Sequence, residues 1–243
     1  MNRHPPDTVD EKLARFLARC GIASRRKCED LIRAGLVQVD GAVVSTPETR
    51  IRANQCAVSV RGKPVKPQKS FRYILFNKPE GVLCTCHPSR EIGRTVLDLV
   101  RVPERVFPAG RLDRDTSGLV LLTNDGELVQ QLTHPSYERE KEYLVETRKL
   151  LSDDEVRRLV VGIRLDDGFS RFANVQRVGQ RRVKVILKEG RKRQIRRTFE
   201  ALNLPIRHLQ RIRLDKIVLT RLPVGQWRDL TAGEIQSLKR SER

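Results

Sequence analysis

The chain has no long apolar run. Nowhere in its 243 residues does it approach the about 18 consecutive apolar residues that a membrane-spanning helix needs. The first ten residues are polar, carry Pro5 and Pro6 and lack the apolar core of a signal peptide, so no export is expected. Cysteine is sparse and odd in number. The five residues Cys20, Cys28, Cys56, Cys84 and Cys86 offer no C-x-x-C pair, so neither a disulfide framework nor a zinc ribbon is expected. Cys84-Thr85-Cys86-His87 has the look of a ligand set, but no second cluster answers it. In a strand, Cys84 and Cys86 would simply share one face. Reduced structural thiols in a cytoplasmic protein, and no metal, are the expectation. The chain also lacks a P-loop, a dinucleotide fingerprint, internal repeats and low-complexity tracts.

Acidic charge is the other shortage. Forty-nine lysines and arginines face 30 acids, a formal +19. A field that basic draws polyanions and speaks of partners rather than of fold. RNA or DNA leads as the partner, with an anionic membrane surface second. The lack of a spanning segment counts against the membrane, and no recognition helix or dimer signature favours DNA. With 38% hydrophobic residues the chain can build a core, and its length allows one large domain or two.

Residues 10–60 read as a module. Leu13, Phe16 and Leu17 fall at i, i+3 and i+4, one face of a helix that Gly21 ends. Ser24 has the chemistry of an N-cap for a second helix, from whose first turn Arg25, Arg26 and Lys27 fan out. Cations there oppose the helix dipole, at a few tenths to about 1 kcal/mol each, and an anion would recover that cost. A solvated charged face is the plainer alternative. Gly35 stops the helix, and Val37–Val39 turns through Asp40-Gly41 into Val43-Val44.

Residues 61–70 are basic and interrupted by Pro64 and Pro67, as in a linker, and cations such as Lys63 are placed to track a nucleic-acid backbone. Strands are predicted at Tyr73–Phe76, Leu119–Leu122, Tyr143–Val145, Val183–Leu187 and Ile217–Leu219. Helices are predicted at Glu127–Leu132, Asp153–Val160 and Gln194–Ala201. This mixture, without regular βαβ alternation, predicts an α+β fold with a mainly antiparallel mixed sheet flanked by helices over residues 71–236.

Four segments of that region carry the candidate chemistry. In Gly110-Arg111-Leu112-Asp113-Arg114-Asp115-Thr116-Ser117-Gly118, a carboxylate, Asp113, sits in a charged turn before an apolar β-like run. Asn77-Lys78-Pro79-Glu80-Gly81 is a strand end entering a turn, and Lys141-Glu142-Tyr143 opens an alternating strand with one of only three tyrosines. Glu189-Gly190-Arg191-Lys192-Arg193-Gln194-Ile195-Arg196-Arg197 joins a strand to a basic helix. Residues 181–213 hold 12 cations against two acids, a concentration that suits a phosphate track.

Residues 10–60 resemble the S4 RNA-binding domain, although many S4 domains carry Asn where Asp40 stands. The four segments, in their order behind such a domain, resemble pseudouridine synthases of the RsuA/RluB/RluF type. The stretch His134–Glu140 is most similar to the RluB branch. The resemblance implies isomerisation of a specific rRNA uridine, in 23S rRNA for that branch, with 16S rRNA as the alternative. It implies Asp113 as the essential carboxylate, Tyr143 stacking on the target base and Arg196 paired with Asp113. Arg111, Arg114, Arg191, Arg193 and Arg197 join Arg25, Arg26, Lys27 and Lys63 as candidate RNA contacts.

The reaction explains these needs. The N1–C1′ bond breaks, the base turns, and C5 bonds to C1′. No redox change or group donor is involved, so no cofactor is expected. A carboxylate near the sugar and C6 must stay ionised, which an adjacent guanidinium favours. The base must leave its stack, costing a few kcal/mol, while stacking on an aromatic ring recovers roughly 1–3. Asp115, Thr116 and Ser117 are candidates for holding the loop or the nucleotide's backbone. A binding-only protein on the same fold, a partner in ribosome assembly, is the rival class. A monomer is the default.

Overall fold

The computed structural model of the chain describes residues 10–68, 70–86 and 93–240. His87, Lys69 and the first nine residues lie outside them. The chain divides between Phe71 and Arg72 into two units.

The first unit contains β1 (Asp10–Lys12), α1 (Leu13–Arg19), α2 (Arg25–Arg33), β2 (Val37–Val39), β3 (Ala42–Val44), β4 (Arg50–Arg52), β5 (Val58–Val60) and β6 (Lys63–Pro64). The predicted apolar face of α1 is real: Leu13, Phe16 and Leu17 pack with Cys28, Ile32 and Val37 in one core. Ser24 caps α2 by accepting the Lys27 amide at 3.3 Å, and Gly35 leaves the helix at φ +67°. Asp40 takes a left-handed turn conformation and accepts the Ala57 amide at 2.7 Å, so its carboxylate is committed within the unit. The segment expected as a linker differs. Lys63–Pro64 is an edge strand on β5, and Val65 packs against the core. Proline suits such an edge because its missing amide is not needed there.

The second unit runs β7 (Tyr73–Lys78), α3 (Val96–Leu99), β8 (Phe107–Pro108), β9 (Ser117–Thr123), α4 (Gly126–Thr133), β10 (Lys141–Thr147), α5 (Asp153–Val161), β11 (Ile163–Leu165) and β12 (Gly168–Ser170). It continues through β13 (Asn174–Gly179), β14 (Arg182–Leu187), α6 (Gln194–Glu200), β15 (Ile206–Leu214), β16 (Ile217–Val218), β17 (Trp227–Asp229) and α7 (Ala232–Arg240). A nine-stranded sheet has the order β13-β14-β10-β15-β9-β7-β17, with β16 on β15 and β8 on β9. All its pairings are antiparallel except β9 with β15. The α+β architecture predicted from the sequence is therefore the one observed.

Both faces of the sheet are covered. Ile74, Phe76, Val120 and Leu122 pack with Leu159 of α5 and Ile195 and Phe199 of α6. Tyr73, Leu75, Leu119 and Leu121 pack with Leu128 and Leu132 of α4 and Leu238 of α7. Burial on both faces explains why β7 and β9 read as continuous apolar runs rather than alternations.

The parallel contact is short, pairing Gln210 with Ser117 and Arg211 with Gly118. Gly118 is at φ +103°, and a Cβ there would lie 2.3 Å from the Arg211 carbonyl oxygen and 2.7 Å from its nitrogen. Only glycine lets the two backbones approach. Gly118→Ala is expected to cost about 3 kcal/mol or more, combining overpacking with backbone strain. An unfolding free energy from urea titration within about 0.5 kcal/mol of wild type would contradict this close approach.

Candidate active site

The two turns that resemble family motifs meet at the start of β9. The Gly81 amide donates to the Arg114 carbonyl at 2.7 Å, and Arg114 Nε returns a bond to the Gly81 carbonyl at 3.2 Å. Lys78 closes the join. Its side chain is fully buried, and Nζ donates to the carbonyls of Pro79, Arg114 and Thr116 at 2.9, 3.3 and 2.8 Å. Within the loop the Thr116 amide donates to the Asp113 carbonyl at 3.1 Å. Asp113 thus projects from a short turn held by an ammonium from beneath, with its side chain 41% exposed.

Burial pulls the Lys78 pKa down to about 8, against the opposing charges of Cys84, Asp115, Glu80 and Asp113. As pH rises through 8, the folded chain releases this proton before the unfolded chain does, so the burial cost lifts and stability gains. The loop, however, loses the positive charge beside Asp113 and Asp115. Activity is expected to fall on an alkaline limb near pH 8 with no accompanying drop in melting temperature up to pH 9. Activity that stays flat to pH 9, or that declines only with unfolding, would contradict this role for Lys78.

Arg193, the residue before α6, sits in the left-handed region at φ +50°, a strained conformation for a side-chain-bearing residue. Its guanidinium reaches the Asp115 carboxylate in a two-pronged pair at 3.2 and 3.1 Å and lies 3.9 Å from Asp113. Arg196, one turn on, also faces Asp115. Its Nη2 donates to the Asp115 carbonyl at 2.5 Å. Its Nε lies 3.1 Å from the carboxylate without donating a hydrogen bond, so that contact is an ion pair by distance only.

The expected pair of Arg196 with Asp113 is thus not the one formed. Asp115 takes Arg196, and among the described residues the cation within 4 Å of Asp113 is Arg193. The physical reason is the loop's second carboxylate, which sits where both guanidinia converge. Burial works to raise the Asp115 pKa, but the Arg193 hydrogen bonds and the charges of Arg196 and Arg193 outweigh it and hold the carboxyl below its ordinary value.

The basic segment is also less free than its composition implies. Of the 12 cations in 181–213, eight pair with carboxylates: Arg182, Lys188, Arg191, Arg193, Arg196, Arg197, Arg207 and Arg213. Arg191 and Arg197, expected as RNA contacts, both hold Asp167, at 3.0 and 2.7 Å, and so brace the β11–β12 hairpin against α6. Lys192, Arg111 and Arg114 are exposed near the site. In the first unit, Arg25, Arg26, Lys27 and Lys63 are likewise exposed.

Tyr143 lies on β10, 9% exposed, directly opposite Arg211 of β15. Sequence reading missed Arg211, hidden among the charges of a strand whose alternation they obscured. Arg211 is 2% exposed, and its Nε donates to the Leu119 carbonyl at 2.7 Å. Cys84 and Cys86 do not lie in a strand; nearby, Leu83 makes an isolated bridge to Thr95. The Cys84 thiol points to the Gly110 carbonyl at 3.7 Å, and burial raises the pKa of both thiols.

Comparison with known proteins places the chain in a family. Residues 72–201 match the family model described as RNA pseudouridylate synthase, and residues 11–55 match the S4 domain. The chain belongs to the RNA pseudouridylate synthase family. It is 39% identical to an uncharacterized RNA pseudouridine synthase of Aquifex aeolicus, over 95% of this chain and 94% of that one. It is 40% identical to ribosomal large subunit pseudouridine synthase B of Vibrio cholerae, over 95% of this chain and 75% of the relative. Among solved structures, the crystal structure of a pseudouridylate synthase superposes with a TM-score of 0.68 at 28% identity, covering 93% of this chain and 99% of that one. The protein is a pseudouridine synthase, an isomerase carrying an S4 domain. No helix among the described residues is long and apolar enough to cross a membrane.

Proposed function

We propose that the chain converts one uridine of 23S rRNA to pseudouridine, as a synthase of the RluB type, with Asp113 as the carboxylate that engages the nucleotide. The observation that carries this reading is the Asp113 turn itself. Three loop and turn carbonyls anchored on the buried Lys78 fix the turn, while the Asp113 carboxylate remains open to solvent. A fixed backbone under an exposed reactive group suits a substrate that must be flipped into place. Tyr143 is the stacking partner for the base. Arg193, 3.9 Å from Asp113, is the cation that faces its carboxylate, and Arg196 holds the neighbouring Asp115 in place. Arg111 and Arg114, exposed beside the turn, are RNA contacts of the catalytic unit, and Arg25, Arg26, Lys27 and Lys63 are those of the S4 unit.

The large-subunit assignment rests on the similarity to the ribosomal large subunit pseudouridine synthase B of Vibrio cholerae. It is tested by incubating the purified protein with 23S and 16S rRNA transcripts and mapping pseudouridine in each. Modification of one position in 23S rRNA alone is the expected result. Modification confined to 16S rRNA overturns the subunit assignment, and modification of neither overturns rRNA as the substrate.

A further inference from the structure

The sheet registers align a row of side chains beneath the catalytic loop. Tyr143 pairs with Arg211, Arg211 with Gly118, and Gly118 with Lys78. Register partners share a face. That face is the α5–α6 side, because Leu209, two residues before Arg211, packs there with Tyr143, Ile195 and Leu112. Gly118 contributes no side chain and lies against the Arg211 backbone, so two buried cations, Arg211 and Lys78, stand on either side of it where the Asp113 loop runs into β9. Lys141 lies on the same face of β10, two residues before Tyr143.

The hydrogen-bonding of these cations is unequal. Lys78 spends its three protons on three carbonyls. Lys141 donates to one, the Arg139 carbonyl at 3.0 Å. Arg211 bonds Leu119 through Nε, but its Nη2 is enclosed and has no hydrogen-bond partner. Among the described residues no carboxylate lies within 4 Å of either Lys141 or Arg211. Burial, and then the charge of Arg211, lowers the Lys141 pKa, which places the two cations within each other's field. A buried guanidinium with an idle donor and no counter-ion costs several kcal/mol unless something else answers it.

We propose that Arg211, with Lys141 beside it, is the counter-charge for the uracil base during the reaction, at the carbonyl edge of the ring that Tyr143 stacks. This rests on the functional reading given above. When N1–C1′ breaks, the bonding pair leaves with N1 and spreads over O2 and O4 of the base. The same pair returns through C5 to form the new bond to C1′. The proton then lost from C5 is matched by the proton gained at N1, so the sum is an isomerisation whichever atom Asp113 engages. Between the two bonds the base carries a negative charge, and the idle Nη2 of Arg211 is the donor waiting for it. Preorganised donors aimed at charge that develops only during reaction are the effective kind.

The test compares leaving bases of different acidity. A transcript spanning the modified site is made with uridine or with 5-fluorouridine, whose electron-poor base bears negative charge more readily. Single-turnover loss of the N-linked nucleoside is measured, because the fluorinated base has no C5 proton to release later. Arg211→Gln keeps an amide donor for the Leu119 carbonyl but removes the charge. It is expected to slow uridine about 10²–10³-fold and 5-fluorouridine at least about tenfold less, and Arg211→Lys is expected to fall between. Equal losses on both RNAs, or an Arg211→Gln rate near wild type, overturn the inference. Should Arg211→Gln not fold, Arg211→Lys carries the same comparison of substrates. A wild-type protein that converts neither RNA overturns the functional reading instead, which keeps the two failures distinct.

Discussion

Asp113→Asn is expected to lower the single-turnover rate of pseudouridine formation by at least about 10³-fold while RNA affinity stays within a few-fold of wild type. The substitution keeps the size of the side chain and leaves the turn intact, because the turn is held through backbone carbonyls and Lys78 rather than through the Asp113 carboxylate. It removes the charge proposed to act as nucleophile or base, and losses of this size are usual for such groups. The exposure of Asp113 makes a large stability effect unexpected, since surface substitutions usually lie within about 0.5 kcal/mol. A binding-only protein on this fold would show no change in any product, having none to lose. Filter binding and a single-turnover assay on the same RNA separate these cases.

Arg196→Met is expected to reduce the rate about 10²-fold or more with a melting temperature lowered by only a few degrees. Arg196 holds the Asp115 carbonyl and faces its carboxylate, and Arg193 supplies the better-aligned bonds to that same carboxylate. Loss of Arg196 therefore leaves Asp115 still anchored, and the fold with it. What goes is a guanidinium beside the loop whose Nε faces the Asp115 carboxylate at 3.1 Å without a hydrogen bond, and which is proposed to turn to Asp113 when the base arrives. Arg196→Lys is expected to recover little, because a single ammonium cannot serve the Asp115 carbonyl and a second acceptor in the way a planar fork can. A variant with wild-type rate and an unchanged pH profile would reduce Arg196 to a loop brace.

Which of these features was legible in the sequence depended on how each announces itself. The helices of the first unit carried capping and periodicity signals, and Ser24, Gly35 and Leu13 stand where those signals placed them. β7 and β9 showed as apolar runs because both faces are buried. β15 did not show: Arg207, His208, Gln210, Arg211 and Arg213 interrupt its alternation, although it is a central strand of the sheet. Its buried Arg211 reads in the sequence as one more surface cation.

The same limit applies to charge. Composition counted the cations of 181–213 but not the acids that other elements bring to them, such as Asp167 from the β11–β12 turn and Glu146 from β10. Asp115 illustrates the point within the site. Two residues from Asp113 in sequence, it has no local signal to show that it, and not Asp113, collects both arginines of α6 and its N-cap. Lys78 was visible only as part of a turn, and its three carbonyl acceptors come from the folding of two loops together.

The most direct test of the central claim is a pseudouridine map of rRNA from cells lacking the gene, complemented in turn with wild type and with Asp113→Ala. One 23S rRNA position is expected to lose its modification, to regain it with wild type and not to regain it with Asp113→Ala. A map unchanged by deletion, or a site restored by Asp113→Ala, would contradict the claim.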